Sequence, residues 1–200
     1  ARATNREGDA ILYIYTSGTT GLPKASKISH GRYTVSCHPL RIMCSLSAAD
    51  VLYSPLPLYH SAAGMMGVGA CIVSGATFVT RKRFSVHNFS SDVLRVQATV
   101  LQYIGELCRY LTHAPVNTKD KEVSSIRYAF GNGLRSDVWS AFQERYSIKH
   151  IAEFYGATEG NTVLLNAAGH VGALGWVPRV FDFLYPVCII KAHSSDSGSE

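Results

Sequence analysis

A run of ten residues, Tyr15–Lys24 (YTSGTTGLPK), combines the groups that proteins use to hold phosphate. Glycine allows backbone N–H groups to turn toward a ligand, hydroxyl side chains donate hydrogen bonds, and lysine adds a positive charge. The run is not a Walker A loop, because Leu22 and Pro23 separate Gly21 from the lysine. A plain surface turn is the alternative, but the density of donors favours a phosphate loop. Its candidate ligands are Thr16, Ser17, Gly18, Thr19, Thr20, Gly21 and Lys24.

Two further segments could complete a nucleotide site. In Glu153–Gly160 (EFYGATEG), Tyr155 offers a flat face for a purine, and Glu159 offers a hard oxygen ligand for Mg²⁺, which a triphosphate requires. In Gly131–Arg135 (GNGLR), the glycines allow close approach of the backbone and the amide side chain could read an adenine edge. An ordinary Asn-Gly turn explains that second segment equally well. The residues predicted to contact the nucleotide are Gly131, Asn132, Gly133, Tyr155, Gly156 and Thr158.

The elements around these segments alternate between strands and helices. Compact apolar runs predict strands at Ala10–Tyr15, Ala25–Ile28, Val51–Leu58, Ala76–Thr80, Ala98–Tyr103, Ile126–Phe130 and Ile151–Tyr155. Helices are predicted from an N-cap at Ser29 to near Pro39, over Ala62–Val73 and Ser91–Val96, along the apolar stripe Ile104, Leu107, Cys108 and Leu111, and after a cap at Ser136. A final strand is predicted at Val187–Lys191. This order indicates an α/β domain with a mostly parallel sheet buried on both faces. Because each of the three loops follows a strand, we expect them to form one crevice.

The composition restricts the class of protein. Of 200 residues, 46% are hydrophobic and 16% are charged, which excludes a disordered chain. The net charge of +5 suits an anionic ligand, but the basic residues are scattered, so we expect no nucleic-acid partner. Five cysteines without a CxxC pair indicate reduced core residues. The segment Val51–Thr80 has no charged residue, but prolines and glycines interrupt it, which favours a strand–helix–strand unit over a membrane span.

The run Tyr15–Lys24 resembles the phosphate-loop signature of the adenylate-forming (AMP-binding) superfamily, and Tyr155–Glu159 resembles its second core motif. Within that superfamily, Val100–Tyr110, Gly131–Arg135 and Glu153–Asn161 resemble the fatty acid transport protein or very long-chain acyl-CoA synthetase family. The resemblance extends over most of the chain. It implies that the fold is part of the large N-terminal domain of an adenylate-forming enzyme.

The resemblance also implies a ligation in two steps. A fatty acid carboxylate attacks the α-phosphate of Mg·ATP to give an acyl adenylate and pyrophosphate, and the thiol of coenzyme A then takes the acyl group. By motif match, Thr16–Lys24 would hold the β- and γ-phosphates, Thr158 would contact the α-phosphate, and Glu159 would bind Mg²⁺. Lys24, Thr158 and Glu159 are therefore the expected catalytic residues.

The same motif match assigns the remaining walls of the site. Tyr155 would pack on the adenine, and Gly131–Gly133 would line the adenine and acyl pocket. His60 matches a position that lies beside the acyl tunnel and the adenylate in relatives, so it is expected in the substrate pocket. A histidine that caps the following helix is the alternative.

The chain is expected to be an internal piece of a larger polypeptide. The resemblance predicts a ribose-binding aspartate, a hinge and a C-terminal lysine, and none of these motifs is present here. Residues 1–191 would form the core of the AMP-binding domain, and residues 192–200 a polar tail or linker. We therefore expect little turnover from these 200 residues alone.

Two alternatives stay open at this stage. A non-catalytic fatty-acid-binding or transport module could retain the nucleotide pocket, and a related enzyme could activate an aryl or amino acid instead. The segments IGELCRY and GNGLR argue against the second alternative. The resemblance further implies a membrane-associated protein with its active site facing the cytosol, at the endoplasmic reticulum, peroxisome or plasma membrane, with its anchor outside this chain.

Overall fold

The computed structural model describes residues 4–16, 22–160 and 162–177. The strands are β1 Ala10–Thr16, β2 Lys24–Ser29, β3 Val51–Ser54, β4 Thr77–Thr80, β5 Val100–Ile104, β6 Tyr128–Asn132, β7 His150–Gly156 and β8 Val163–Asn166. The α-helices are α1 His30–Met43, α2 Val68–Ser74, α3 Phe89–Val96, α4 Gly105–His113 and α5 Ser136–Arg145. A π-helix, Ala62–Gly67, precedes α2, and a short 3₁₀ helix occupies Thr118–Glu122.

The main sheet has six strands in the order β4-β3-β5-β6-β7-β8. All neighbouring pairs are parallel except β7 and β8. Helices cover both faces: Val100 packs into the core under α1 and α2, whereas the next residue, Leu101, packs into the core under α3, α4 and α5. This burial on both faces explains why the strand sequences are mainly apolar without a two-residue alternation, and it confirms the predicted α/β class.

The first strand differs from the prediction. The sequence predicts a buried strand of the main sheet at Ala10–Tyr15, but β1 pairs with β2 in an antiparallel hairpin outside that sheet. Ile14 packs toward Ile28 and Met65, whereas Tyr13 and Tyr15 are 60% and 69% exposed. The run is apolar at every position because its outward-facing residues are large and apolar too, so the usual two-residue alternation is hidden.

Helix α1 confirms its predicted start and contradicts its predicted end. The hydroxyl of Ser29 accepts a hydrogen bond from the backbone N–H of Arg32, which is the expected N-cap contact. The helix continues through Pro39 to Met43 instead of breaking there. Pro39 removes the donor that would bond the carbonyl of Val35, and Val35 is exposed, so water can satisfy that carbonyl.

The other helices agree with the predictions in most respects. Gly75 ends α2 with a positive φ of 76°, as expected of a glycine C-cap. Helix α5 buries the predicted apolar stripe, but its N-cap is Arg135, so the predicted cap at Ser136 is wrong. None of the described helices combines the length and apolarity that a bilayer crossing needs. Cys37, Cys44, Cys71 and Cys108 are buried and unbridged, in agreement with the prediction.

Ion pairs fasten the amino-terminal ends of the parallel strands. Asp50, Thr99 and Arg127 immediately precede β3, β5 and β6. The guanidinium of Arg127 donates to both carboxylate oxygens of Asp50, at 2.9 and 2.8 Å, and Thr99 donates to the same carboxylate at 2.8 Å. Three neighbouring strands are thereby joined at one edge of the sheet.

The end of the domain was predicted only in part. β8 has four residues and pairs antiparallel with β7, and the sequence reading did not include it. The predicted final strand at Val187–Lys191, the tail from residue 192 and Cys188 lie outside the described residues.

Candidate functional site

The candidate site lies at the carboxyl edge of the main sheet, where the chain leaves β3, β5, β6 and β7. From β3 the chain passes to β4 on one side, and from β5 it passes to β6 on the other, so the strand order reverses between β3 and β5. Open parallel sheets bind ligands in the crevice outside such a reversal. The segments that follow β6 and β7 at this edge are the two that the sequence singled out, Gly131–Arg135 and Glu153–Gly160.

Thr158 is held by contacts from two distant parts of the chain. Its hydroxyl lies 3.0 Å from the hydroxyl of Ser61, and either oxygen can be the donor. The guanidinium of Arg32, in the first turn of α1, donates to the backbone carbonyls of Thr158 and Gly160. These partners are 97 and 126 positions away from Thr158 in sequence. The turn that carries Glu159 is therefore anchored at both of its ends.

Tyr155 and Glu159 face solvent at this edge. The ring of Tyr155 is 59% exposed, while its backbone pairs with Leu164 of β8. Phe154 stacks on Phe130 with ring centroids 5.0 Å apart, which packs the end of β7 against β6. An exposed ring on a fixed backbone is suited to pack on a purine. The Glu159 side chain is exposed, as a ligand for a metal bound with substrate would be.

A buried carboxylate ties the loop after β6 to the strands on either side. Glu153 is 1% exposed, and its Oε1 accepts hydrogen bonds from the Tyr103 hydroxyl at 3.0 Å and the Leu134 N–H at 2.9 Å. Burial raises the pKa of Glu153, and hydrogen bonds from Leu134, Tyr103 and the backbone of Gly133 oppose that rise. Gly131 is buried, Asn132 is half-buried and Gly133, with a φ of +75°, is exposed. The predicted adenine loop therefore rests directly on Glu153.

His60 lies next to the Thr158 contact. It directly precedes Ser61, and its ring lies against Tyr59 with centroids 4.6 Å apart. Its backbone carbonyl accepts the N–H of Gly64 at 2.9 Å, at the start of the π-helix. His60 is therefore a neighbour of the residue that contacts Thr158, and its assignment to the substrate pocket stays a prediction.

Only the two ends of the predicted phosphate loop lie within the described residues. Thr16 and Lys24 are paired across the β1–β2 hairpin, and the Thr16 hydroxyl donates to the Lys24 carbonyl at 3.4 Å. The predicted ligands between them, Ser17, Gly18, Thr19, Thr20 and Gly21, lie outside the described residues. Within the described part of the chain, no hydrogen bond or ion pair joins Lys24 to Thr158 or Glu159.

An apolar cavity of about 480 Å³ opens beside Thr158. It lies between α1, the π-helix and the end of β7. Its apolar walls include Val35, Pro39, Met65, Met66 and Phe154, and Arg32, Ser61 and Thr158 line its polar end. A mostly apolar cavity with a few convergent polar groups is typical of a small-molecule site.

A second cavity, of about 600 Å³, lies beyond the ends of β3 and β4. Leu56, Phe84 and Leu107 line it together with the basic run Arg81–Arg83. Arg81 is paired with Asp92, whereas Lys82 is exposed. This cavity shares no lining residue with the one beside Thr158.

Sequence reasoning missed the residues that hold the motifs in place. Arg32, Ser61 and Tyr103 were given no role, and Glu153 was read only as part of its motif. Arg32 and Ser61 contact Thr158 from 126 and 97 positions away, and Tyr103 and Glu153 are 50 positions apart. The spacing of residues along the sequence does not reveal such contacts. The only signal available was Glu153, a carboxylate within a strand that was predicted to be buried.

Comparison with known proteins identifies the family of this chain. A family model described as AMP-binding enzyme matches residues 1–180. The chain belongs to this family. It is 48% identical over 185 residues to long-chain fatty acid transport protein 1 of Bos taurus, and 49% identical over 164 residues to long-chain fatty acid transport protein 2 of Rattus norvegicus. These alignments cover 92% and 82% of this chain but only 28% and 26% of the relatives, so the chain spans about a quarter of their length.

Solved structures agree on the fold. A malonyl-CoA ligase with methylmalonyl-CoA and AMP bound matches with a TM-score of 0.76 and 24% identity, over 88% of this chain and 39% of that chain. ATP-bound MatB from Rhodopseudomonas palustris matches with a TM-score of 0.73 and 23% identity, over 85% of this chain and 34% of that chain. The predicted resemblance to the adenylate-forming superfamily and to the fatty acid transport proteins is confirmed.

Proposed function

We propose that this chain carries the nucleotide-binding part of an ATP-dependent ligase. The ligase would activate a long- or very long-chain fatty acid as an acyl adenylate and then form its coenzyme A thioester. Family membership and the similarity to long-chain fatty acid transport proteins support the proposal. The observation that carries it is the anchored turn at Thr158 and Glu159, which lies beside His60–Ser61 at the polar end of an apolar cavity.

The proposed reaction has two bond exchanges. A carboxylate oxygen of the fatty acid bonds to the α-phosphorus of ATP, and the bond from that phosphorus to the α–β bridging oxygen breaks, which releases pyrophosphate. The sulfur of coenzyme A then bonds to the acyl carbon, the thiol gives up its proton, and AMP leaves. Repulsion between the carboxylate and the triphosphate opposes the first exchange, so donors that are already in position lower its barrier.

Thr158 is the residue of this chain best suited to donate to the α-phosphate. When its hydroxyl donates to a phosphate oxygen, the Ser61 hydroxyl can donate to Thr158 Oγ1, because either member of the pair can be the donor. The pair therefore changes direction without losing a hydrogen bond. Arg32 holds the backbone on both sides of Glu159, so the turn needs little reorganisation when the nucleotide arrives.

The hairpin would supply the rest of the phosphate contacts. The pairing of Thr16 with Lys24 brings the two ends of the predicted phosphate segment to one place. In the proposal, Lys24 and the hydroxyl and backbone donors from Thr16 to Gly21 bind the β- and γ-phosphates, and Tyr155 with Gly131–Gly133 encloses the adenine.

Mg²⁺ fits the donor set at this edge. The described residues contain no cluster of three or more histidine, cysteine or acidic side chains that could hold a metal, but Glu159 presents an exposed carboxylate. Mg²⁺ is commonly bound by one or two carboxylates together with substrate phosphates, rather than by an all-protein cage. Glu159 would be that carboxylate, and the ion would neutralise charge on the phosphates of ATP.

The apolar cavity beside Thr158 would accept the acyl chain. Met65 and Met66 line it, and methionine side chains adapt to ligands of different shape. A fatty acid in this cavity would have its carboxylate at the end formed by Arg32, Ser61 and Thr158. His60, one residue away, would then be close to the adenylate. Membrane association of the natural-length protein, with its anchor outside this chain, belongs to the same proposal.

The test is formation of the thioester by the protein at its natural length. The protein is incubated with ATP, Mg²⁺, coenzyme A and either a long-chain or a very long-chain fatty acid, and acyl-CoA and pyrophosphate are measured. Thr158→Val and Glu159→Gln should each lower kcat/KM by about a hundredfold, as loss of one transition-state contact does. Arg41→Ala, an exposed position on α1, is the control.

Two outcomes would contradict the proposal. Nucleotide and fatty acid binding without any product would favour the non-catalytic binding or transport module. Product formation with an aryl or amino acid in preference to fatty acids would favour the other enzyme class. The 200-residue chain alone is expected to show little turnover.

A further inference from the structure

We propose that Glu153 and Tyr103 are positioning residues that seat the loop Gly131–Gly133 and thereby set the selectivity of the site for adenine nucleotides. The inference rests on the proposed function, because it assigns the loop to the adenine. It adds two side chains that need not touch the nucleotide and gives them a role in choosing the base.

One carboxylate oxygen connects the three elements that surround the adenine. Oε1 of Glu153 accepts the hydroxyl of Tyr103, at the end of β5, and the N–H of Leu134, immediately after the loop. Glu153 itself lies on β7, two residues before Tyr155. In the proposal, the loop lies on one side of the adenine and the Tyr155 ring on the other. The positions of both therefore depend on the same buried residue, Glu153.

Close backbone contacts restrict the position of the loop Gly131–Gly133. A Cβ on Gly131 would lie 2.3 Å from the Tyr103 carbonyl oxygen and 2.5 Å from the Tyr103 ring. A Cβ on Gly105 would lie 1.7 Å from the Gly133 carbonyl oxygen. The loop is thus pressed against the end of β5 and the start of α4, and its distance from them is fixed by backbone atoms. The hydrogen bonds to Glu153 then fix its position along that surface.

The chemistry of the buried site is unusual for a purely structural contact. Among the described residues, Asp50, Asp92 and Asp120 are all ion-paired, whereas Glu153 takes part in no ion pair. A buried carboxylate that has only neutral donors opposes folding more than it supports it, because desolvation of the charge is not offset by a cation. Its useful property is that one oxygen can accept from two donors in fixed directions.

The experiment compares three variants of the natural-length protein. Tyr103→Phe removes one donor and nothing else, Glu153→Gln keeps a carbonyl oxygen that can accept both bonds, and Glu153→Ala removes the acceptor. For each variant, KM and kcat are measured with ATP and with GTP, and KM is measured for the fatty acid and coenzyme A. Dissociation constants for ATP and GTP are also measured by calorimetry, and circular dichroism and thermal unfolding check the fold.

Loss of the acceptor in Glu153→Ala should change recognition of the nucleotide base and leave the affinities for the other substrates nearly unchanged. Glu153→Ala should raise KM and Kd for ATP about tenfold and lower the ATP-to-GTP selectivity by a similar factor, as expected for loss of a buried hydrogen-bonding group. Tyr103→Phe should lower the selectivity about threefold. Glu153→Gln should restore most of it. KM for the fatty acid and coenzyme A should change by less than about twofold in every variant.

Several results would overturn the inference. An unchanged ATP-to-GTP selectivity in Tyr103→Phe would do so, even if Glu153→Ala fails to fold. So would a parallel rise of KM for all three substrates, since that is the result of general loosening. If the unmodified protein binds ATP but makes no thioester, the proposed function fails while the calorimetric selectivity still decides this inference. If it binds no nucleotide, both fail.

Discussion

The two edges of the main sheet handle buried charge in opposite ways. At the amino edge, Asp50 is surrounded by donors that include the guanidinium of Arg127, and three strands are joined by the resulting ion pair. At the carboxyl edge, the donors to Glu153 are neutral: the hydroxyl of Tyr103 and the backbone N–H groups of Leu134 and Gly133. The segment beyond Glu153 carries the exposed side chains of Tyr155 and Glu159, whereas at the amino edge Arg127 also donates to the carbonyls of Cys44 and Ser45. The ion pair at the amino edge stabilises the fold, and the contrast agrees with the proposal that the carboxyl edge binds a ligand.

The pKa values of Asp50 and Glu153 shift in opposite directions, in agreement with their different partners. Burial acts to raise the pKa of Asp50, but hydrogen bonds from Arg127, Thr99 and Ser47 outweigh it and lower the pKa to about 2. Burial raises the pKa of Glu153, and its neutral donors do not reverse that rise. Ionised Asp50 therefore stabilises the folded protein, whereas ionised Glu153 destabilises it.

The largest expected effect comes from breaking the ion pair at the amino edge. Arg127→Ala leaves the Asp50 carboxylate, 7% exposed in its side chain, without its cation, and should lower the free energy of unfolding by about 3 kcal/mol. Urea unfolding followed by fluorescence measures it, since Trp139 is fully buried. The control is Arg135→Ala, because Arg135 and Asp137 form an exposed pair whose loss should cost less than about 0.5 kcal/mol. Equal losses in the two variants would contradict this account.

The next effect compares the same substitution at the two edges. Asp50→Asn should lower the free energy of unfolding at neutral pH by roughly 2 kcal/mol, because the folded pKa of about 2 lies below the ordinary 3.8. That difference should disappear as pH falls from about 4 toward 2, where the wild-type carboxyl protonates. Glu153 has the opposite sign: its raised pKa gives stability that is present at low pH and lost as pH rises.

Glu153→Gln should therefore leave the stability at neutral pH unchanged or slightly higher. Measuring unfolding of both amide variants between pH about 2 and 8 checks the pair. A loss in Glu153→Gln as large as that in Asp50→Asn would mean that the carboxyl edge depends on charge as the amino edge does, and the contrast would not hold.

The sequence predicted the parallel sheet well because burial on both faces leaves a clear signature. The strand at Val100–Ile104 (VLQYI) and its neighbours on both sides are mainly apolar, with no alternation between apolar and polar positions. The prediction that β1 belongs to the main sheet was wrong, because exposed Tyr13 and Tyr15 give the same apolar signature on a solvent-facing hairpin. β8 was also missed, because its four residues are too few to show a period.

The candidate site was predictable to the extent that its groups are local in sequence. Tyr155, Thr158 and Glu159 belong to one short segment, and the glycines of Gly131–Gly133 to another. The contact of Arg32 with the Thr158 carbonyl spans 126 positions and uses a backbone acceptor, which every residue has. No residue type marks such a partner, so only the folded chain reveals it.

A tenfold effect is expected where α1 meets the turn at Thr158. Arg32→Ala removes the donors to two backbone carbonyls and should lower kcat/KM of the natural-length protein about tenfold, by releasing the turn that carries Glu159. Arg32→Lys should recover little, because an ammonium lacks the planar fork that reaches both carbonyls. Arg41→Ala on the same helix is the matched control. Full activity in Arg32→Ala would show that the turn holds itself.

The smallest effect should come from the hydroxyl pair, and it separates activity from stability most directly. Ser61→Ala removes the partner that Thr158 needs when its own hydroxyl turns to a phosphate, so kcat should fall about threefold. The free energy of unfolding should change by less than about 1 kcal/mol, because the contact is only partly buried. Ser74→Ala, which removes a local bond to Ala70 at the end of α2, is the control and should leave kcat unchanged. If Ser61→Ala instead lowers stability and leaves kcat intact, the pair belongs to the fold, and the carboxyl edge is fastened by the same kind of structural contact as the amino edge.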